Sequence, residues 1–511
     1  MSEDELIHDS ATASEIVRAA VSFWNQWFLR GGQGSSAVKS DPFAVAGISS
    51  SRDWRTAVTL SFPRVPPEVF FAWLGPRLVL WPAGVVHERR TSIVSSRIGK
   101  RRDLKRGWFD ALRTAVIRQD PAECLCCVSG TAPEDAIIRS SELFGARRLR
   151  IDVAPGGNAS EAELVEWLEL KARVQQPSGL LLEDVAYVSP ACQPDITDQS
   201  CDADRKCQSP VQDTALVLAA ERIVGLSCRA EGHVESLLKR HLQDEQRNAP
   251  VLLATVAESE SAAVSQSLVS LGAVPWLLGR ADVDGEDRRT ASSNTRSTRA
   301  RSPESICFSV SDGPLQVSDE WLSHWTRPRQ GPWAEQRDEE FLDELILGCQ
   351  TADRSAFAAL LRIVAQCQIT ASRSVRNADK TVSFTAVPLS DFRDRRVYRR
   401  HKQRFDFEPW GIAVRKAALE TCGCCAVTYV DRDTYDNVAE GDRLFQQLNS
   451  DDGGRIDWSQ EREWRYAGNL DLSGLDAEDI CVFVDTHDEA TALRAVAPWR
   501  VVQVPPKTKP A

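Results

Sequence analysis

The sequence predicts an α/β protein, in which a Rossmann-like N-terminal region with a parallel sheet is followed by a mixed α+β C-terminal domain. Strand and helix patterns alternate over residues 86–155 and again over 213–279, as they do in doubly wound parallel sheets. A chain of 511 residues is also too long for one compact core. A stretch rich in Ser, Thr, Arg and Asp, 281–305, follows the alternating region and is typical of a flexible linker.

Five segments follow from composition and patterning. They are 1–85 with one helix and short strands, 86–280 with the Rossmann-like region, the linker 281–305, the C-terminal domain 306–505, and a disordered tail at 506–511. A helix is predicted at Ala13–Leu29, where apolar side chains recur at helical spacing: Ile16, Ala20, Phe23 and Trp27. Short apolar runs between prolines predict strands at 57–62, 69–74 and 78–81.

The Rossmann-like region opens on a basic stretch, 89–106. A helix at 108–117, a strand at 124–128, a helix at 134–144 and a strand at 147–153 follow it. Thr131 suits the cap of the second helix, and Gly145 suits its C-terminal stop. Segment 156–212 is poorly patterned after a helix at 161–173, and 189–213 is predicted as an exposed loop. The alternation then resumes, with helices at 213–220, 234–242 and 262–271 and strands at 222–227, 250–256 and 272–276.

The C-terminal domain contains the stretch with the densest charged and aromatic side chains, 381–466. Helices are predicted before it, at 338–347 and 354–364. The stretch itself contains an apolar run at 381–389, a basic helix at 392–404, strand-like runs at 407–414 and 426–430, and a closing segment rich in Glu, Arg and Trp at 457–466.

Composition narrows the function classes. The net charge of −11 excludes a generic polyanion binder. No apolar run approaches the ~18 residues of a membrane helix, and the acidic first residues lack the apolar core of a secretory signal. We therefore expect a cytoplasmic protein with no membrane partner.

Cysteine usage argues against a disulfide scaffold, since 14 cysteines are sparse for this length. Two clusters, Cys124–Cys127 and Cys422–Cys425, each contain a Cys-x-x-Cys spacing and could together offer four thiolates to zinc. Burial of the first cluster in a strand is the better interpretation, because alternate side chains of a strand face opposite ways. We predict no metal site.

Two strand–turn–helix junctions are candidate cofactor sites. Ser129, Gly130 and Thr131 form a turn directly before a helix, whose N-terminus favours phosphate, although any capped helix has this pattern. Ser227, Arg229 and Gly232, with His233, follow another strand at its carboxyl end, where α/β sheets present ligands. These turns predict a nucleotide-like ligand, and the sequence leaves its identity open between NAD and another nucleotide.

Segment 222–276 resembles the Rossmann-like family that joins the DNA-processing protein DprA to the lysine-decarboxylase-like LOG proteins. The features that match are the run 219–227, Arg229 and Gly232 before a helix, and the run 271–275. The resemblance implies a nucleotide or nucleotide-derived ligand at the strand–turn–helix junction. The multi-glycine turn usual in that family is missing here.

Residues 320–486 resemble the AbiGi-type abortive-infection proteins of bacteria. The matching runs are Ser323–Thr326, Ser383–Leu389, Trp410–Val414, Ala426–Tyr429 and Glu463–Arg465. The resemblance implies phage defence as the biological context rather than a particular reaction.

A layout in the same domain is similar to that of ADP-ribosyltransferases. The similarity implies that His324 holds the ribose of NAD, that Ser383 or Thr385 lines the nicotinamide pocket, and that Glu463, with Glu461 beside it, orients a hydroxyl. A carboxylate can stabilise an oxocarbenium-like state, and a histidine can donate to a ribose hydroxyl.

A structural interpretation explains the same three residues. Under it, His324 packs between Trp321 and Trp325, and Glu463 pairs with Arg462 or Arg465.

The predicted basic helix offers a further surface, Arg393–Arg404. At helical spacing Arg393, Arg396, Arg400 and Arg404 share one face, which could bind phosphate or nucleic acid or could be an ordinary solvated face.

The sequence thus predicts a bacterial defence-type protein, with nucleotide sensing at 86–279 and an NAD-using effector at 320–486. The alternatives are a nucleotide-binding sensor without catalysis and a protein-interaction module.

Overall fold

A computed structural model of the chain describes residues 12–29, 56–82, 88–155, 158–174, 183–192, 210–255, 262–277, 320–373, 380–391, 398–399, 404–405, 407–438, 440–449 and 457–504. The chain divides into two compact units. Unit 1 comprises Met1–Asn294 and Gln336–Ala352, and unit 2 comprises Thr295–Glu335 and Asp353–Ala511. None of the helices within these described ranges is long and apolar enough to cross a membrane.

The helices of unit 1 are α1 (Ala13–Leu29), α2 (Pro67–Leu74), α3 (Arg106–Ile117), α4 (Glu134–Phe144), α5 (Glu161–Val174), α6 (Val211–Ala219), α7 (His233–Gln243), α8 (Ala262–Ser270) and α9 (Asp338–Leu347). Its strands are β1 (Thr56–Thr59), β2 (Val79–Pro82), β3 (Arg89–Ser95), β4 (Glu123–Val128), β5 (Arg148–Val153), β6 (Asn158–Ala159), β7 (Glu183–Val188), β8 (Ala191–Cys192), β9 (Arg222–Ser227), β10 (Val251–Thr255) and β11 (Val274–Leu277).

The helices of unit 2 are α10 (Ala356–Gln366), α11 (Lys416–Thr421), α12 (Arg432–Asn437) and α13 (His487–Arg494). Its strands are β12 (Trp321–Trp325), β13 (Gln368–Ile369), β14 (Ser372–Arg373), β15 (Lys380–Thr385), β16 (Tyr398–Arg399), β17 (Arg404–Phe405), β18 (Gly411–Arg415), β19 (Cys425–Ala426), β20 (Thr428–Val430), β21 (Gln446–Leu448), β22 (Glu463–Ala467), β23 (Leu470–Asp471), β24 (Ile480–Val484) and β25 (Arg500–Gln503).

The main sheet of unit 1 is doubly wound. Its order is β1-β2-β7-β5-β4-β3-β9-β10-β11. The seven strands from β7 to β11 are parallel, and β1 and β2 extend the sheet as an antiparallel edge. The chain winds from β3 outward through β4, β5 and β7, then returns beside β3 and winds the other way through β9, β10 and β11. The predicted Rossmann-like region is confirmed, and its winding reverses between β3 and β9.

Helices cover both faces of this sheet. α3, α4 and α9 pack on one face around side chains such as Phe109, Ile137 and Ile346. α1, α2 and α5 to α8 pack on the other, around side chains such as Trp24 and Leu238. Because both faces are buried, β4 and β10 are apolar along most of their length, as parallel strands usually are, whereas the central β3 carries the buried polar side chains of Arg90, Thr91, Ser92 and Ser95.

α9 belongs to unit 1, although its sequence lies in the stretch predicted as the C-terminal domain. Its buried residues Phe341, Leu345 and Ile346 pack in the core that α3 and α4 share. The guanidinium of Arg139 also donates to both carboxylate oxygens of Asp343, at 2.5 and 2.7 Å.

β3 occupies the centre of the sheet, yet the sequence indicates only a basic stretch there. The reason is that two arginines of the basic stretch 89–106 have structural partners, one in β3 and one after it. Arg90 is buried, and its guanidinium donates to the carbonyls of Ala219 (2.8 Å) and Pro63 (2.7 Å). Arg101 pairs with the buried carboxylate of Asp103 at 2.6 Å.

Segment 69–74, predicted as a strand, is helix α2. Pro67 stands in its first turn, where a missing N–H costs nothing. Five of its eight residues are buried, including Phe70 and Trp73. A run that is apolar on every side carries no period by which a helix could be told from a strand.

The main sheet of unit 2 is mixed. Its order is β19-β22-β15-β12-β18-β24-β25, with β14 paired to β15, and only β24 and β25 pair in parallel. One face packs around Leu322, Phe384 and Ile412, and the other around Trp321, Trp325 and Phe483. The predicted α+β character of this region is confirmed.

The predicted basic helix at 392–404 is contradicted where the structure describes it. Tyr398–Arg399 and Arg404–Phe405 pair as an antiparallel ladder, and the two aromatic rings meet edge to face at 5.1 Å between centroids. The helical spacing that grouped the Arg393–Arg404 face therefore does not apply at these residues. Arg393, Arg396 and Arg400, the linker 281–305 and the tail 506–511 lie outside the described residues, as does most of the predicted loop 189–213.

Candidate functional site

The winding reversal brings three loops to one edge of the unit 1 sheet. The loops that follow β3, β4 and β9 all leave the carboxyl ends of adjacent parallel strands. At the reversal, the Ser96 N–H donates to the Ser227 carbonyl at 2.7 Å, and the ladder between β3 and β9 shifts register between Val94 and Ser95. In open α/β sheets a ligand crevice forms at such a point.

The loop after β9 is held against the loop after β3. The Arg229 N–H donates to the Ser96 hydroxyl at 3.0 Å, and its guanidinium reaches the Arg97 carbonyl at 3.4 Å. Arg97 and Arg229 are both exposed. Arg97 and Arg229 thus lie on the two loops that meet where the winding reverses, and a guanidinium group is suited to binding a phosphate.

Gly232 has a steric role in this loop. A Cβ at this position would lie 2.9 Å from the Arg229 carbonyl oxygen, so a side chain does not fit the turn that precedes α7. Glu231 takes a left-handed backbone conformation (φ 56°), and its N–H donates to the Glu235 carboxylate at 2.6 Å. The Glu235 carboxylate, in the first turn of α7, therefore already binds a backbone N–H of the preceding loop.

The turn after β4 is satisfied within the protein. The Ser129 hydroxyl donates to Asp152 at 2.7 Å, the Gly130 N–H donates to Glu134 at 2.6 Å, and the Thr131 hydroxyl donates to the Val128 carbonyl at 2.8 Å. A phosphate at this turn would need the Gly130 N–H, which the Glu134 carboxylate already occupies. Thr131 makes no cap bond to α4.

Sequence reasoning missed Asp213, in the first turn of α6. Burial raises the pKa of this carboxyl, while the charges of His233 and Arg97 act in the opposite direction. Its neighbour Gln212 lies beside Gly130, since a Cβ built there would be 3.9 Å from the Gln212 side chain. The half-buried Asp213 carboxyl is therefore close to Arg97 and His233. The sequence does not indicate this proximity, because Asp213 is a single aspartate within a helical pattern.

In unit 2, the predicted catalytic residues divide between two faces of the sheet. Thr385 and Glu463 are partners on β15 and β22, and Ser323 on β12 is the next partner of Thr385, so these three side chains share a face. His324 follows Ser323 and points to the opposite face, where its ring meets Phe384. The structure joins Thr385 and Glu463 and separates His324 from them.

Glu463 is held in a buried ion pair. Its two carboxylate oxygens accept from the Arg465 guanidinium at 3.0 and 2.9 Å. The remaining N–H groups of Arg465 donate to the carbonyls of Leu444 and Gln446 and to the side chain of Gln447. The pairing that the structural interpretation expected is confirmed for Arg465.

Thr385 and His324 each make a polar contact with a backbone carbonyl. The Thr385 hydroxyl donates to the Glu461 carbonyl at 2.5 Å. Burial lowers the pKa of His324 to about 4. Nδ1 lies 2.9 Å from the Ser383 carbonyl, which can only accept, so Nδ1 carries the proton of the neutral ring.

The cysteine clusters differ in exposure. Cys124, Cys126 and Cys127 are buried in β4, whereas Cys422 and Cys425 are exposed. Within the described ranges, no three His, Cys, Asp or Glu side chains are grouped so as to hold a metal ion. An open groove of about 570 Å³ between α2 and α7, beside Trp73 and Arg240, involves none of the predicted site residues.

Comparison with known proteins adds little. No family model matches the chain, and no curated protein matches it. The chain is similar to the X-ray structure of DNA processing protein A (DprA) from Streptococcus pneumoniae, with 12% identity and a TM-score of 0.28 over 54% of this chain and 99% of that chain. A likeness at this level carries no argument about ligand or activity, and the AbiGi-type resemblance stays a prediction.

Proposed function

We propose that unit 1 binds a phosphate-bearing, nucleotide-like ligand in the crevice between the carboxyl ends of β3 and β9. The observation that carries this proposal is the reversal of winding at that point, with Arg97 and Arg229 on either side of it. The guanidinium groups would bind the phosphate, and the Asp213 carboxylate would accept from a hydroxyl of the ligand.

Ser129, Gly130 and Thr131 have a smaller part in this proposal. Their polar groups have protein partners, so they shape the neighbouring turn rather than hold the phosphate. Ser227 and Gly232 position the loop that carries Arg229.

A melting-temperature screen tests this proposal. Purified protein is incubated with NAD, ATP, AMP and GTP, and one of these ligands is expected to raise the Tm. A ligand present at 100 times its Kd stabilises the folded state by about 2.7 kcal/mol. Arg229→Ala should reduce the shift, whereas Arg89→Ala, an exposed arginine at the amino end of β3, should keep it. No shift with any nucleotide, or equal shifts in both variants, would contradict the proposal.

The AbiGi-type resemblance of unit 2 suggests a defence setting in which it acts as an effector that unit 1 regulates. One observation favours NAD chemistry there: Thr385 and Glu463 are register partners, beside a buried Ser323 hydroxyl that has no hydrogen-bond partner among the described residues. Incubation with NAD, followed by chromatography of the products, tests this candidate. NAD consumption by the wild type, together with no consumption by Thr385→Val, would support this candidate. If the wild type leaves NAD unchanged, the protein-interaction module is the alternative that remains for unit 2.

A further inference from the structure

Helix α9 belongs to unit 1, but the chain on both sides of it belongs to unit 2. The segment Gln336–Ala352, which contains α9, is part of unit 1, whereas Thr295–Glu335 and Asp353–Ala511 form unit 2. The chain therefore crosses from unit 2 to unit 1 and back again within one short segment. Any change in how α9 packs in unit 1 reaches unit 2 through two covalent junctions.

Unit 2 fixes its own chain on both sides of this segment. The carboxylate of Glu335, the last residue before the first junction, pairs with Arg362 on α10. After the second junction, Arg354 is fully buried, and its carbonyl accepts from the Arg329 N–H at 2.9 Å. Both ends of the segment are thus bonded to unit 2 close to α10, so the segment is not a slack linker.

Side chains of α3 and α4 hold α9 in unit 1. Phe341 and Ile346 are buried in the core that α9 shares with these two helices. The Arg139 guanidinium of α4 donates to both carboxylate oxygens of Asp343, at 2.5 and 2.7 Å. The Arg113 guanidinium of α3 donates to the Ile346 carbonyl at 3.1 Å. Because carbonyls in the last turn of a helix lack intrahelical donors, this bond closes the C-terminal end of α9.

α3 connects this docking site to the crevice between β3 and β9. In its first turn, the Trp108 Nε1–H donates to the hydroxyl of Ser95, the last residue of β3, at 2.9 Å. The next residue, Ser96, bonds to the loop after β9 through the Ser227 carbonyl and the Arg229 N–H. One helix is therefore bonded to the crevice at its start and to α9 further along.

α4 makes a second connection of the same kind. It begins at Glu134, whose carboxylate accepts from the Gly130 N–H in the turn after β4. Further along, its Arg139 binds Asp343 of α9. Both helices that hold α9 therefore begin at loops on the carboxyl edge of the sheet. Packed rigid helices and their hydrogen bonds are the elements through which coupling travels in proteins.

We propose that α9 couples the crevice of unit 1 to unit 2. This inference rests on the proposed function, because it needs a phosphate-bearing ligand between β3 and β9. Such a ligand fixes the loop after β3, and with it the start of α3, and thereby stabilises the docked position of α9. Ligand binding then restrains the chain of unit 2 at both junctions. Because coupling between two sites is reciprocal, weaker docking of α9 also weakens ligand binding.

Hydrogen exchange of the full-length chain, followed by mass spectrometry, tests this coupling with NAD, ATP, AMP and GTP as probes. The nucleotide that raises the Tm should slow exchange of the α9 amides about fivefold or more, the lower end of typical coupling between sites. Exchange of the α10 amides should slow as well, because α10 follows the second junction.

Asp343→Asn tests the coupling from the other side. It removes the charge that Arg139 binds, and isothermal titration should show about fivefold weaker nucleotide binding, although no crevice residue changes. Asp338→Asn, an exposed acid in the first turn of the same helix, is the matched control and should bind as the wild type does. Ile16→Val, on the buried face of α1, controls for lost stability, since a folded protein of lower stability keeps its ligand affinity.

Slower exchange in α9 and α10, together with weaker binding by Asp343→Asn, supports the coupling. Two results overturn it while the proposed function stands. One is a nucleotide that binds but leaves exchange of α9 or α10 unchanged, and the other is equal affinity in Asp343→Asn and the Asp338→Asn control. If no nucleotide binds to the wild type, the proposed function is contradicted and the coupling is overturned with it.

Discussion

Glu463→Gln should destabilise unit 2 substantially, because Glu463 compensates a buried cation. The side chain of Arg465 is 5% exposed and that of Glu463 is 16% exposed, and two hydrogen bonds join them. Glutamine keeps one acceptor but turns an amide NH₂ group toward the guanidinium. Breaking a buried pair from one side costs roughly 3–5 kcal/mol. Since the other three N–H groups of Arg465 keep their partners, we expect a loss of about 3 kcal/mol.

Native-state hydrogen exchange of the β15 and β22 amides measures this loss, because it reports on unit 2 separately from unit 1. The matched control is Glu420→Gln, whose partner Lys416 is 3.9 Å away on the surface. That variant should change the opening free energy by less than about 1 kcal/mol. A similarly small change for Glu463→Gln would refute the structural role of the pair and would leave Glu463 available for chemistry.

Three further predictions concern packing, pH and thiol reactivity. Gly411→Ala should destabilise unit 2 by about 3 kcal/mol or more in urea unfolding, because its Cβ would lie 2.2 Å from the His324 carbonyl oxygen, whereas Gly474→Ala, with open space around it, should have little effect. Folding lowers the pKa of His324 from 6.5 to about 4, so the unfolded state binds more protons between these values; stability should fall as pH drops from 6.5 towards 4, and His324→Gln should flatten that dependence in Tm measurements. Iodoacetamide labelling with peptide mass mapping should modify exposed Cys422 quickly and Cys228 slowly, because burial raises the pKa of the Cys228 thiol to about 12; equal rates would contradict this.

The sequence predicts the elements of unit 1 best where the pattern is local. Helix 134–144 and strand 222–227 have the predicted bounds, because each is one uninterrupted local pattern that ends at a turn. β3 is hidden by its arginines, since no sequence rule shows that Arg90 bonds to distant carbonyls. The long-range position of β3 between β4 and β9 is likewise absent from any local pattern.

The candidate sites were predictable only in part, for a similar reason. The carboxyl end of β9 is identifiable because a strand followed by a short polar turn and a helix indicates it. The contribution of Asp213 depends on how α6 packs against that edge, and α6 is distant in sequence from β3. The layout similar to that of ADP-ribosyltransferases groups His324 with Glu463, whereas strand alternation places the two side chains on opposite faces of the sheet.

A crystal structure with the nucleotide that raises the Tm most would show where unit 1 binds its ligand. We expect phosphate density between the carboxyl ends of β3 and β9, within hydrogen-bonding distance of the Arg97 and Arg229 guanidinium groups. A nucleotide bound elsewhere, such as the groove between α2 and α7, with this crevice empty, would contradict it.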